Sequence, residues 1–157
     1  MTTYHPMITI ERTFDHALVR RIFTAPKVYK FITDDFSPDS EDYKPAEHPD
    51  LVYLVASNGQ PFGAGMFIPR NAVCFEVHLG FLPSGWGLAE KTAKLAIAWI
   101  FSNTRCQRVF ASIPEYNRLT LRLAKSAGME EFGVNKASFL KDGKLRDQIL
   151  MGLSKRG

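Results

Sequence analysis

Val77-His78-Leu79-Gly80-Phe81-Leu82-Pro83-Ser84-Gly85-Trp86-Gly87-Leu88-Ala89 sets an apolar run directly before a glycine-bearing turn, and that turn directly before a helical pattern. Read outward, Glu76 to Met129 gives a strand, a turn, a long amphipathic helix, a short strand and an Asn-led helix. Glycine allows close approach of backbone to a ligand, and the unpaired N–H groups at a helix start attract phosphate. The spacing is neither G-x-G-x-x-G nor G-x-x-x-x-G-K-[ST], which excludes the dinucleotide fingerprint and the P-loop. A different phosphate ligand is needed, and the second half of the stretch supplies it.

Asn117-Arg118-Leu119-Thr120-Leu121-Arg122-Leu123-Ala124-Lys125-Ser126-Ala127-Gly128-Met129 resembles the N-x-x-[AS]-x-x-[LV]-[YE]-[EK]-x-x-G-[FM] helix of the GNAT acyltransferase superfamily. Phe101 to Val109 is similar to that family's helix end and following strand, and Asp147 to Ser154 to its closing strand. The resemblance implies an α/β fold of GNAT type: a mixed, mostly antiparallel central sheet, helices on both faces, and a splayed coenzyme wedge between Val77–Leu82 and Arg108–Ile113. It implies acetyl-CoA as cosubstrate and an N-acetyltransferase activity. Backbone N–H groups from Leu79, Gly80, Phe81 and Leu82 would hold the acetyl carbonyl and the pantetheine amides. The turn Ser84, Gly85, Trp86, Gly87, Leu88 and Ala89 would hold the pyrophosphate, Asn117 the pantetheine arm, and Thr120 would face the thiolate.

The chain departs from the family in three places. Its turn does not fit [RQ]-x-x-G-x-[GA], since Ser84 or Leu82, depending on register, stands where Arg or Gln belongs. Trp86 is bulky inside that turn, and Ala124 stands where many relatives carry Tyr. These departures motivate an alternative reading, a catalytically inactive binding or assembly module similar to short phage-encoded relatives, some of them head-assembly factors.

A chain of 157 residues, 45% hydrophobic and 23% charged, suits one globular domain spanning 1–157. No run of about 18 uncharged apolar residues occurs, and Met1 to Pro6 lacks the apolar centre of a secretory signal, so a soluble cytoplasmic protein is expected. Cys74 and Cys106 show no ligand spacing and read as buried reduced thiols, with no metal expected. Residues 34–50 carry seven carboxylates against Lys44 alone, which leaves the remainder of a +4 chain strongly basic. A basic body favours coenzyme phosphates, and an acidic loop attracts a cationic amine. Nucleic acid finds no Arg/aromatic stripe to bind.

Along the chain, Met7 to Thr13 alternates as an opening strand and Asp15 caps a helix carrying Leu18, Val19, Ile22 and Phe23. A second short helix is expected to turn Val28, Tyr29, Phe31 and Ile32 inward. Asp34 to Pro49 reads as a loop where a substrate lid fits. Asn58-Gly59 predicts a hairpin with a tight primed turn between Leu51–Ala56 and Phe62–Ile68. Leu88, Thr92, Leu95 and Trp99, beside Ala89, Ala93, Ala96 and Ile100, form an apolar helix stripe. Lys141-Asp142-Gly143-Lys144 is a turn between Phe132–Leu140 and Leu145–Leu153. Ile149 to Leu153 is expected at a sheet edge, where a homodimer would pair.

Acyl transfer to an amine requires a neutral amine, a stabilised oxyanion and a proton for the departing thiolate. A lysine-like amine has a pKa near ~10.4 and arrives charged. Glu76 and His78, two residues apart on one strand, share a face just ahead of the glycine turn and are the expected bases. Glu76 is expected to need burial that raises its pKa toward ~6–7. Tyr116 is a further hydroxyl near Asn117. The acceptor reads only as an amine-bearing small molecule or a protein N-terminus.

Overall fold

The apolar run Leu51–Ala56 and the turn residues after it build the centre of one half of the molecule. Val52–Ser57 (β2) and Pro61–Pro69 (β3) pair antiparallel, and Val52 to Ala56 are all buried. An uninterrupted apolar strand of this kind is what a sheet covered on both faces requires. The connection, however, is not the expected primed two-residue turn. Ser57 faces Pro61 across a three-residue loop with a register shift, and only Gly59 in it has positive φ, 96°. A primed type I′ turn needs two such residues, and it is found instead at Asp142-Gly143, with φ of 53° and 76°.

The computed structural model describes residues 7–156. Met1 to Pro6, where no secretory signal is expected, lie outside the described residues. The remaining strands are Thr9–Arg12 (β1), Cys74–Phe81 (β4), Arg108–Pro114 (β5), Glu130–Lys141 (β6) and Lys144–Ser154 (β7). They form one seven-stranded sheet, ordered β1-β2-β3-β4-β5-β7-β6, in which β4 and β5 alone run parallel. The helices are His16–Phe23 (α1), Pro26–Ile32 (α2), Ala89–Asn103 (α3) and Arg118–Ser126 (α4). A mixed, mostly antiparallel sheet with helices on both faces is thus the architecture.

Each face has its own core. On one, Ala93, Ala96, Ile97 and Ile100 of α3 and Ala124 of α4 pack on Phe67, Phe75, Val77, Val109 and Met151. On the other, Val19, Ile22 and Phe23 of α1 pack on Tyr53, Val55 and Ala64. Removing a side chain such as Phe67, which is fully buried, would cost about 3–5 kcal/mol. The Asp15 carboxylate caps α1 by accepting from Leu18 N–H at 3.0 Å, a contact worth ~1 kcal/mol.

Three placements correct the sequence reading. Leu95 is 37% exposed, and the buried line of α3 runs through Thr92, Ala93, Ala96, Ile97 and Ile100, so the stripe is rotated toward its small residues, which let the helix approach the sheet. In α2, Val28 is buried while Phe31 and Ile32 are exposed, because the short helix touches the sheet only through its first turn. Lastly, β7 lies between β5 and β6, so the edges of the sheet are β1 and β6. The expected pairing through Ile149–Leu153 has no open edge to use.

Candidate active site

The site is organised by β4. Arg70 N–H donates to Cys74 C=O at 2.9 Å and Leu82 N–H to Phe62 C=O at 2.8 Å, so even-numbered residues of β4 point their backbone groups at β3. By alternation, the N–H and C=O of Leu79 and Phe81 point the other way, toward β5. Among the described residues they meet no strand there. Pairing of β4 with β5 is confined to Cys74–Arg108, Phe75–Val109 and Glu76–Phe110, after which the two strands part. The expected wedge between Val77–Leu82 and Arg108–Ile113 is present, bounded on the β5 side by Ser112, whose backbone faces it by the same alternation. Of the four expected donors, Leu79 and Phe81 have the right direction. Gly80 and Leu82 do not; Gly80 is small because a Cβ would lie 2.9 Å from Phe23 and 3.0 Å from Val28.

Side chains alternate in the same way. Phe75 and Val77 enter the α3 core, whereas Glu76 and His78 emerge together on the face that carries α1 and α2. His78 Nε2 lies 2.5 Å from Glu76 Oε2. Arg70, which the sequence reading missed, donates from Nε and Nη2 to Glu76 Oε1, both at 3.1 Å. The register explains its reach: Arg70 stands opposite Cys74, two residues from Glu76 on the same face, a diagonal that a long side chain spans. Once the Asn71 turn is recognised, with its Oδ1 accepting from Val73 and Cys74 N–H, that diagonal is readable.

This cluster overturns one expectation. The hydrogen bond from His78, reinforced by Arg70, outweighs burial and holds the Glu76 carboxyl below the usual carboxylate range. Glu76 is an ionised acceptor, and the raised pKa that a carboxylate base would need is not there.

The turn after β4 differs from expectation too. Pro83–Leu88 forms a 3₁₀ helix that runs straight into α3. Gly85 N–H donates to Leu82 C=O at 2.8 Å, and Ala89 N–H to Trp86 C=O, so these groups of the expected phosphate cradle are internally paired. Gly85 is dictated by packing, since a Cβ there would fall 2.1 Å from Phe62 Cδ2. Gly87 has negative φ and no atom within 4 Å of a Cβ, so neither conformation nor packing demands a glycine. Trp86, about half exposed, donates its indole N–H to Phe81 C=O at 3.1 Å and lies under Lys27. Ser84 and Leu88 are part of the same 3₁₀ helix.

Asn117 caps α4, its Oδ1 accepting from Thr120 N–H at 3.3 Å. Thr120 is therefore in the first turn of the helix that follows β5, and it shares no hydrogen bond with Glu76 or His78. Tyr116 lies at the end of β5 beneath Arg146, and burial raises its pKa.

The acidic segment, where a substrate lid is expected to fit, is bonded to the body of the protein along its length. Arg20 donates to the carbonyls of Ser40, Glu41 and Tyr43, Tyr29 to Pro38, and Tyr53 to Ala46. Its start is clasped to the β6–β7 turn. The Asp35 carboxylate accepts from Asp142 and Gly143 N–H at 2.8 Å, while Lys141 Nζ donates to Lys30 and Thr33 C=O. The clasp bridges the two halves that the wedge separates. Among the described residues no group of three or more His, Cys, Asp or Glu side chains is placed to hold a metal, and no helix is long and apolar enough to cross a membrane.

A sheet opened between its two parallel central strands, with helices in this order, decides the likeness of fold. The fold is that of the GNAT N-acetyltransferases. A spermidine N-acetyltransferase from Vibrio cholerae, in complex with CoA and spermine, superposes with a TM-score of 0.74 at 14% identity, covering 94% of this chain and 95% of that one. A GNAT acetyltransferase from Streptococcus pneumoniae gives 0.72 at 19% identity, over 95% of this chain and all (100%) of that one. YncA from Salmonella typhimurium, described as an acetyltransferase and solved with acetyl-CoA, gives 0.72 at 19%, over 96% and 95%. No sequence-family profile and no curated protein matches the chain. In the GNAT frame, the α1–α2 face of β4 carries the Glu76–His78 pair and the end of β4 carries the turn.

Proposed function

We propose that this protein is an acyl-CoA N-acyltransferase that moves an acetyl group from acetyl-CoA to a primary amine by direct attack. The observation that carries the reading is the parting of β4 from β5 immediately beyond Glu76, with a carboxylate and an imidazole at the point of parting. Support comes from neighbours of the same fold that bind CoA or acetyl-CoA.

In this mechanism the acceptor reaches the α1–α2 face as an ammonium ion, drawn by the exposed carboxylates of residues 34–50. His78, about 43% exposed on its side chain, takes the proton directly or through a water, and Glu76 stabilises the imidazolium that results. The neutral nitrogen then attacks the thioester carbonyl. The N–H groups of Leu79 and Phe81, which have no strand partner, are aimed at developing oxyanion charge. Collapse breaks the C–S bond, and the proton that the attacking nitrogen sheds in becoming an amide passes to the departing thiolate, near the Thr120 and Tyr116 hydroxyls at the start of α4. The open side of Gly87 and the amide of Asn117 fit the coenzyme. Phe81 C=O and the N–H groups of Gly85 and Ala89 fit it only after their present bonds open. The acceptor class is a small-molecule amine or a protein N-terminus, and the spermine-bound neighbour supports the former.

Those same closed bonds favour a second reading, a GNAT-fold binding or assembly module without transfer, of the kind encoded by phages. Isothermal titration with acetyl-CoA and with free CoA separates the two. Binding on the order of micromolar Kd, followed by amine-dependent thioester cleavage, supports the enzyme; no heat at millimolar ligand supports the module.

A further inference from the structure

His78 is held by one nitrogen only. An ionised carboxylate is an acceptor without a proton to give, so the 2.5 Å contact with Glu76 Oε2 requires a hydrogen on Nε2. Neutral His78 then carries its lone pair on Nδ1. Whether this arrangement persists depends on Glu76, a residue with two equivalent oxygens and freedom about χ3. Arg70 removes that freedom, because Nε and Nη2 both converge on Oε1 at 3.1 Å. Among the described residues no other charged group assists Arg70 in this. Ile68 and Met66 on β3 and Phe110 on β5 are the cross-strand neighbours, and α1 and α2 meet β4 at Gly80 through Phe23 and Val28.

We infer that Arg70 is a positioning residue for His78. By occupying Oε1 of Glu76 it assigns Oε2 to the His78 Nε2–H group, and so keeps Nδ1 as the nitrogen that receives the proton of the acceptor amine. Resting on the acyltransferase reading, the inference adds a residue just beyond the end of β3 to the pair that the sequence singled out. Arg70 itself touches neither amine nor coenzyme. Its side chain is about half exposed, 53%, so replacing it does not open the core.

The test compares the wild-type chain with Arg70→Met, which keeps the length without the donors, and Arg70→Lys, which keeps the charge without the fork. Proton NMR of the imidazole N–H region, with His78→Gln to assign the signal, reads the ring directly. Wild type should show a downfield Nε2–H resonance and an unprotonated Nδ1 by its nitrogen shift. Arg70→Met should lose the downfield signal by exchange, Arg70→Lys should restore part of it, and turnover should fall about tenfold in Arg70→Met with KM for acetyl-CoA unchanged. A downfield signal and turnover both untouched in Arg70→Met would overturn the inference, as would a wild-type ring protonated on Nδ1. If no amine is acetylated by wild type, the acyltransferase reading fails, while the N–H signal still decides whether Arg70 fixes the ring.

Discussion

The two sides of the upper end of β4 are in different states of readiness. On the α1–α2 face, Arg70, Glu76 and His78 are already joined by charge-assisted bonds at 2.5 to 3.1 Å. At the end of the strand, the groups expected to receive a coenzyme bond one another: Trp86 with Phe81, Gly85 with Leu82, Ala89 with Trp86. Proton-handling groups gain from being fixed before the substrate arrives, because their orientation then costs nothing during reaction. A phosphate cradle that folds onto itself weakens binding by the bonds it must open. On the acyltransferase reading, the chain separates a preset chemical face from a proposed coenzyme face whose donors would have to open on binding.

The largest effect should come from the preset side. His78→Gln should lower turnover about a hundredfold, within the range for a lost general base, with acetyl-CoA affinity unchanged by calorimetry. An equal loss of affinity would mean that His78 serves the wedge and not the proton.

Next in size is the pair of glycines in the turn. Gly85→Ala should cost roughly 1–3 kcal/mol in denaturant unfolding, the cost of overpacking against Phe62. Gly87→Ala should leave stability within ~0.5 kcal/mol and weaken acetyl-CoA binding. The opposite assignment would place the ligand at Gly85 and the packing at Gly87.

Trp86→Phe keeps the ring and removes the indole donor. Freed of a bond worth ~1 kcal/mol, Phe81 C=O should bind acetyl-CoA about fivefold more tightly by titration. Weaker binding would show that Trp86 holds the coenzyme and does not compete with it.

The smallest effect concerns the clasp. Backbone donors from Gly143 and Asp142 hold the Asp35 carboxyl below its ordinary value. Its folded pKa being depressed, the contribution is present in full above the ordinary carboxylate range and is lost as pH falls through the lowered value. Protection of the Gly143 amide, its exchange rate set against the intrinsic rate at the same pH, should be high at neutral pH and fall in acid, and in Asp35→Ala it should be low throughout. Slow exchange at neutral pH in Asp35→Ala would assign the clasp to Lys141 alone.

The fold was legible wherever local chemistry decides it: Asp15 as a cap, the Asp142-Gly143 turn, and the strand-turn-helix order at residues 76–129. Short elements whose burial depends on a partner were not legible. Nothing local in α2 says that Phe31 and Ile32 face water, and nothing in Ile149–Leu153 says that β6 returns outside it. Glu76 and His78 were readable from period-two alternation on one strand. Arg70 is harder to read, because its contact with Glu76 crosses a hairpin diagonal that appears only once the Asn71 turn is used to set the β3–β4 register. The lowered pKa of Glu76 was half readable: His78, whose hydrogen bond outweighs burial, shares its face by alternation, whereas the reinforcing Arg70 comes only with the register.

Amide hydrogen exchange at Leu79 and Phe81, with and without acetyl-CoA, tests the wedge most directly. Those two N–H groups face the gap between β4 and β5 without a strand partner, so they should exchange fast in the free protein and become protected on binding, while Gly80 and Leu82, paired with β3, change little. Protection of all four before ligand is added, or binding of acetyl-CoA that leaves Leu79 and Phe81 exchanging freely, would contradict a coenzyme site between the two strands.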